Sequence, residues 1–405
     1  MTAENGAAPR ATKGILGTIF LIVFIDLVGF GMVVTLLPRY GEMYQPKPLT
    51  LGLFMATYSF FQFLFAPILG RLSDRFGRRP VLLLSLCGAA FGYVLLALGG
   101  SLEVLFLSRA VAGASAGNIS TAQAAIADVT GPAERAKGMG ALGAAFGLGF
   151  IFGPAIGGYL FDLAHWAPGA AAALTSLAAL ALTFRFFPET RLFSPNGERS
   201  RARLDWRSLV RALRHPLLGL CLAAFFLQVF GFANFESSFV LYAESRFALT
   251  AHETGWIFLF VGVVGAVVQG GLVGRLTKVF GEARLVVAGA ALACLALGFL
   301  PYLGAVALVR GALGVMAVGT GLLNPSLSSL ASRVVDPDEV GGVMGIYQSM
   351  GSLARIGGPL LGVVSFRDLG QAWPFRFGSL MMLGAAALAA VLLARLRARA
   401  PEAQR

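Results

Sequence analysis

The sequence predicts an all-α integral membrane protein of twelve transmembrane helices in two pseudo-symmetric six-helix bundles. Three observations carry this. Of 405 residues, 57% are hydrophobic and 13% charged, with a mean hydropathy of +0.76, which leaves too little polar side chain to cover a water-soluble protein of this size. Apolar runs of about 20 residues, the length that crosses a bilayer as a helix, recur from end to end. Finally, Gly70-Arg71-Leu72-Ser73-Asp74-Arg75-Phe76-Gly77-Arg78-Arg79-Pro80 returns in worn form as Gly274-Arg275-Leu276-Thr277-Lys278-Val279-Phe280-Gly281, 204 residues later.

The spans fall near 14–38, 50–71, 80–100, 102–127, 136–161, 168–188, 215–243, 252–275, 283–303, 305–332, 341–366 and 373–396. The first run is too long for a signal-peptide core and lacks a small-residue cleavage site, so it reads as span one. Spans two and three flank the Gly70–Pro80 loop. Span four carries Arg109 and a glycine-rich stretch, and its Asn118-Ile119-Ser120 sequon is disregarded because it lies inside the span. Span five carries Gly149, Gly153, Pro154, Gly157 and Gly158, and span six closes the first set at Pro188. Arg191, Arg199, Arg201, Arg203, Arg207 and Arg211 then mark residues 189–214 as a basic linker between domains at 1–188 and 215–405. The second set repeats the first: Gly29-Phe30-Gly31 aligns with Gly231-Phe232-Ala233, Arg109 with Arg310, and Gly153-Pro154 with Gly358-Pro359. Parallel six-helix repeats are an arrangement of transporters that rock about a central site.

With a cytoplasmic N-terminus, the inner segments hold 24 Lys and Arg residues and the outer loops 5, which places both termini inside. The net charge of +12 sits in short juxtamembrane loops that orient helices and meet anionic lipid, so nucleic acid is not an expected partner. Cys87, Cys221 and Cys294 all fall inside apolar spans, which implies no disulfide framework. No Walker-type sequence is present, His165, His215 and His252 lack metal-ligand spacing, and neither an enzyme, a metal nor an organic cofactor is expected.

Charges inside spans carry the chemistry. A central Asp, Lys or Arg costs about 2.5–3.5 kcal/mol on insertion scales, so each needs a partner, a wet cavity or a role. Asp26, Arg109, Glu236, Arg310 and Arg355 are the five. By helical rise, Asp26 lies roughly 18 Å from the inner start of span one and Arg109 roughly 10 Å from the outer start of span four, which are similar depths. An Asp26–Arg109 pair is therefore expected, with Asp26 as proton carrier and the guanidinium as its partner, or else as a static pair joining spans one and four. Glu236 and Arg355 reach comparable outer levels and form the expected pair of the second half, for coupling, cationic-substrate binding or an outer gate. Glycines four apart at Gly149, Gly153 and Gly157 give span five a flat face for close helix approach, and Pro154 invites a bend.

Asp26 followed by Gly29, Gly31 and Pro38, the Gly70–Pro80 loop, Ser108-Arg109 with Ala112-Gly113, Ile126-Ala127-Asp128 and Gly147 through Gly158 together resemble the major facilitator superfamily. The first half closely resembles the tetracycline/proton antiporters among its twelve-span drug/proton antiporters. The resemblance implies proton-coupled export of a small amphipathic or drug-like solute by alternating access in a bacterial inner membrane, by a monomer, since both halves of the cavity are in one chain. It implies a cytoplasmic latch of Gly70, Asp74, Arg75, Gly77, Arg78, Arg79 and Asp128, with Asp74 facing span eleven near Gly341 and Asp128 pairing with Arg71, Arg75 or Arg78. It implies an antiporter motif at Gly149, Gly153, Pro154, Gly157 and Gly158. A cavity is expected to be lined by Tyr58, Gln62, Asn118, Gln123, Gln228, Asn234, Phe235, Gln269, Asn324 and Gln348. Where those antiporters carry an acid in span nine and a histidine in span eight, this chain has Ala293 and Gly265, so tetracycline itself is not implied. Uptake symport, uncoupled facilitation and a transport-dead receptor or scaffold stay open as alternatives.

Overall fold

A computed structural model describes residues 9–130, 132–191, 214–335 and 340–399; the side chains of 9–13, 132–140, 340–342, 345 and 399 lie outside that description, as do residues 192–213 of the expected linker. The first half forms α1 (Pro9–Val34), a short α2 (Leu37–Glu42), α3 (Pro48–Phe76), α4 (Arg78–Leu98), α5 (Leu102–Ala114), α6 (Asn118–Val129), α7 (Pro132–Leu163) and α8 (Ala167–Phe186). The second forms α9 (Leu218–Phe247), α10 (Ala251–Val267), α11 (Val273–Phe280), α12 (Glu282–Phe299), α13 (Val306–Arg333), α14 (Val340–Val364) and α15 (Trp373–Arg399). A π-helical turn at Val268–Leu272 joins α10 to α11. No strand occurs among the described residues.

Ten of the described helical stretches are long and apolar enough to cross a membrane. The fourth span is instead two helices, α5 and α6, interrupted at Ser115–Gly117, and the eleventh is α14. The twelve expected spans are accounted for, and the break in span four is the feature that hydropathy did not predict.

The chain divides into two units. The first comprises Met1–Tyr44, Thr57–Ser200 and Thr250–Leu259; the second comprises Gln45–Ala56, Arg201–Leu249 and Phe260–Arg405. Gln45–Ala56 lies with the second unit and Thr250–Leu259 with the first, an exchange that the division expected from the sequence did not contain. Gly52 of α3 lies against the backbone of Leu360 in α14, and Ala251 and Gly255 of α10 lie against Gly158 and Pro154 of α7. Close backbone contact assigns each segment to its unit.

One packing plan serves both units. In the first, α1 runs along α7 and α8, while α4 packs on α8 and α5; in the second, α9 runs along α14 and α15, while α12 packs on α15 and α13. The first core gathers Ile19, Ile22, Val23 and Leu27 with Leu82, Leu86, Ile126 and Leu142. The second gathers Leu218, Cys221, Leu222 and Phe225 with Val286, Leu323 and Leu327. Leu84, Leu98, Leu174 and Phe184 are among the large apolar side chains left exposed, as expected where lipid rather than water is the solvent.

Candidate functional site

Asp26 sits on the face of α1 turned toward the interior of the first unit and is 5% exposed. Its Oδ1 accepts a hydrogen bond from Ser176 Oγ of α8 at 3.0 Å, and its Oδ2 accepts from Asn118 Nδ2 of α6. Asn118 is the first residue of α6, directly after the break in span four, and its Oδ1 accepts from the Ile119 N–H at 2.9 Å. The interruption is what presents this amide to the carboxylate. Ser176 went unnoticed in the sequence because a neutral serine in an alanine-rich span has no signal of its own.

The expected Asp26–Arg109 ion pair is not formed in this structure. Arg109 is 1% exposed and bonds Ser108 Oγ at 3.0 Å through one terminal nitrogen, while its guanidinium lies 5.4 Å from the Tyr93 ring centroid. Ser108 is itself anchored by donating to the Gly92 carbonyl at 2.8 Å. Among the described residues no carboxylate lies within ion-pair distance of Arg109. Similar depth along two helices does not fix facing direction, and neutral donors have already satisfied Asp26. Tyr93, which the sequence did not single out among the aromatics, is within electrostatic reach of both Asp26 and Arg109.

In the second unit, Glu236 of α9 is half-buried and Arg355 of α14 is its charged neighbour. Arg355 also donates to Ser352 Oγ at 3.4 Å. Arg310 is exposed in the second turn of α13. Three expected cavity residues are buried. Asn234 is wholly buried and donates to the Pro374 carbonyl of α15 at 2.7 Å; Phe235 packs against Phe239 and Phe375; and Gln228 is buried with its Oε1 unpartnered. Their polarity or size suggested a cavity, but Asn234 and Phe235 lie on the face of α9 that meets α15. Tyr58, Gln62, Gln123 and Asn324 are half-buried, and Gln269 and Gln348 are exposed.

The Gly70–Pro80 segment forms a charged cluster at one end of the first unit. Arg78 donates through Nε to Asp128 at 2.8 Å and through a terminal nitrogen to Asp74 at 2.7 Å and Ser73 Oγ at 2.8 Å. Of the three candidate partners for Asp128, Arg78 is therefore the one. Asp74 also pairs with Arg191 at 2.8 Å; of Gly341, near which it was expected to face span eleven, only the backbone is described. Arg75 covers the Phe76 ring. Glu189, in the non-helical segment just past α8, accepts from the backbone N–H groups of Arg78 at 2.8 Å and Arg79 at 3.1 Å, which caps the start of α4. Gly77 has φ of +106°, and the space a side chain would need there is filled by the Glu189 carboxylate, so only glycine suits the turn. Gly281, its counterpart in the repeat, has φ of +78°.

Gly149, Gly153 and Gly157 do form a flat face. A Cβ on Gly153 would stand 2.7 Å from Gly31 backbone atoms, and one on Gly149 2.7 Å from Leu27 Cβ. The face belongs to α1, while Pro154 and Gly158 turn toward α10.

Two six-helix units built on one repeated plan, with charged side chains held inside the apolar helices of each, define a multi-pass membrane transporter. The chain matches the Major Facilitator Superfamily over residues 19–359 and 247–405 and belongs to that family. It is 32% identical to the class D tetracycline resistance protein of Salmonella ordonez, over 94% of this chain and 96% of that protein. It is 29% identical to multidrug resistance protein 2 of Bacillus subtilis, over 90% and 93%. The crystal structure of the human organic anion transporter MFSD10 (TETRAN) superposes with a TM-score of 0.73 at 27% identity, covering 94% of this chain and all of that one. These similarities join the chain to the drug/proton antiporter group that its first-half motifs indicated.

Proposed function

We propose that the protein is a proton-coupled exporter of small amphipathic or drug-like solutes, working by alternating access in a bacterial inner membrane with both termini cytoplasmic. The single observation that carries the reading is Asp26, a buried carboxylate held by neutral donors alone. Such a group takes up and releases a proton without an ion pair having to break. The two oxygens differ in what a proton would do. Asn118 Nδ2 can only donate, so protonation of Oδ2 would set two donors against each other, whereas Ser176 Oγ can turn from donor to acceptor. The proton therefore belongs on Oδ1, and its arrival reverses the direction of the α1–α8 hydrogen bond. The resistance proteins and the multidrug protein among the relatives support export, and the internal repeat supports alternating access.

Arg109 adds a reading of solute charge. A buried guanidinium with no carboxylate at ion-pair distance among the described residues suits an anionic group, and one structural relative is an organic anion transporter. The test is proton release from purified, detergent-solubilised protein on adding amphipathic cations, tetracycline and an aromatic organic anion in turn. Release is expected in the wild type, lost in Asp26→Asn, and weakened in Ser176→Ala but retained in Ser176→Thr. Ligand binding without release from the wild type would move the uncoupled facilitator ahead, and loss only in Glu236→Gln would transfer coupling to the second unit.

A further inference from the structure

We propose that Asp162 is a positioning residue of the transport cycle, a carboxylate latch that holds the seam between α7 and α10 shut. The inference goes beyond the coupling reading and does not depend on it.

Asp162 is the penultimate residue of α7. Its Oδ1 accepts from the Ala251 N–H at 3.2 Å and its Oδ2 from the His252 N–H at 2.9 Å, the first two N–H groups of α10. The helix otherwise caps itself: Thr250 Oγ accepts from the Glu253 N–H at 3.2 Å, and Glu253 Oε2 accepts from the Thr250 N–H at 2.9 Å. That reciprocal box leaves the next two N–H groups unserved, and Asp162 supplies both acceptors from a different helix. A full negative charge then faces the positive end of a 17-residue helix, where the dipole favours it.

Beneath the latch the seam is built for closure. Gly158 meets the Ala251 backbone and Gly255 meets the Pro154 carbonyl, each nearer than a side chain would allow. Beside them the Tyr159 and His252 rings meet edge to face at 5.6 Å, and His252 Nε2 accepts from Trp256 Nε1 at 2.9 Å. All of these contacts lie within the first unit. Helix α10 is nevertheless divided: Thr250–Leu259 belongs to the first unit and Phe260 onward to the second. Any movement of one unit against the other therefore acts on α10, and the α7–α10 seam parts only when Asp162 releases it. The repeat gave no hint of this, because the carboxylate and the helix end it holds are 89 and 90 residues apart.

The test reads seam opening directly. Cys87, Cys221 and Cys294 are replaced by alanine, and Ala251, 1% exposed, is changed to cysteine as the reporter. The rate of its reaction with a bulky maleimide is measured on purified protein with no solute and no pH gradient, so failure here is distinct from failure of the coupling reading. Asp162→Asn is expected to raise the rate about tenfold, the factor that about 1.4 kcal/mol sets in an equilibrium. Glu253→Gln, which touches only its own turn, is expected to leave it unchanged. An unaltered rate in Asp162→Asn overturns the proposal, as does an equal rise in both variants, which would mean general fraying of the helix end. Should the asparagine variant not accumulate, Asp162→Ser, neutral and smaller, carries the same two outcomes.

Discussion

Glu189 shows how one side chain outside any helix can cap a helix distant in sequence. It is a surface carboxylate whose partial burial pushes its proton affinity up, but the backbone N–H groups of Arg191, Arg78, Arg79 and Thr190 together outweigh that and hold it below the ordinary value. A folded-state value below the unfolded one contributes stability that is present above the unfolded value, about 4.3, and is lost as pH falls through the folded one. Because the group is exposed, screening keeps the electrostatic part small. Glu189→Gln is expected to cost about 1 kcal/mol at neutral pH, as lost helix caps do. The difference from wild type, followed by thermal unfolding in detergent, should shrink as pH falls from the unfolded value through the lowered folded one; a gap that does not change with pH would assign the effect to packing. Charges such as Asp26 and Arg109 were legible because they stand out in apolar spans. Their true neighbours Ser176 and Tyr93 were not, because a neutral side chain acquires its role only when folding sets it opposite a charge.

At the scale of the helix, close approach rather than hydrophobic collapse joins α1 to α7, since lipid is as apolar as leucine. Gly31 and Gly153 place backbone against backbone there. Gly153→Ala must push the two helices apart and is expected to destabilise by about 1–3 kcal/mol. Gly147→Ala lies on the same helix with open space around it, so its effect should stay within about 0.5 kcal/mol. Thermal unfolding of the two variants side by side is the check, and equal losses would mean that glycine matters for backbone flexibility rather than for contact. The glycine spacing was readable in advance because its period is helical. The break at Ser115–Gly117 was not, for hydropathy sums over a span and cannot register where hydrogen bonds stop. Its cause is local: Gly113 meets the Tyr58 backbone and Gly117 meets Leu69 and Ser85, so neighbours press in at the point where small residues let the chain leave the helix.

For the molecule as a whole, the repeat made the two-unit plan legible, since a period of about 200 residues with matching glycines and arginines survives divergence of everything between. The exchange of Gln45–Ala56 and Thr250–Leu259 between units could not be read from the repeat, which reports common ancestry of the halves and not which helix ends associate. That exchange has a consequence for folding. A polypeptide of residues 1–200 carries Gly158, Pro154 and Asp162 but lacks the α10 turns that cover them, so the first sequence half alone is an incomplete unit. Expressed alone, it is expected to be cleaved several-fold faster by trypsin than when co-expressed with 201–405, and co-expression should let the two fragments purify together. Introducing Asp162→Asn into the first fragment should weaken that rescue, because it removes the charge and leaves one acceptor oxygen where Ala251 and His252 had two. Equal trypsin lifetimes with and without the second fragment would show that the helical packing of α1, α7 and α8 is self-sufficient. In that case the borrowed segment would be a contact of one conformational state and not part of what makes the first unit fold.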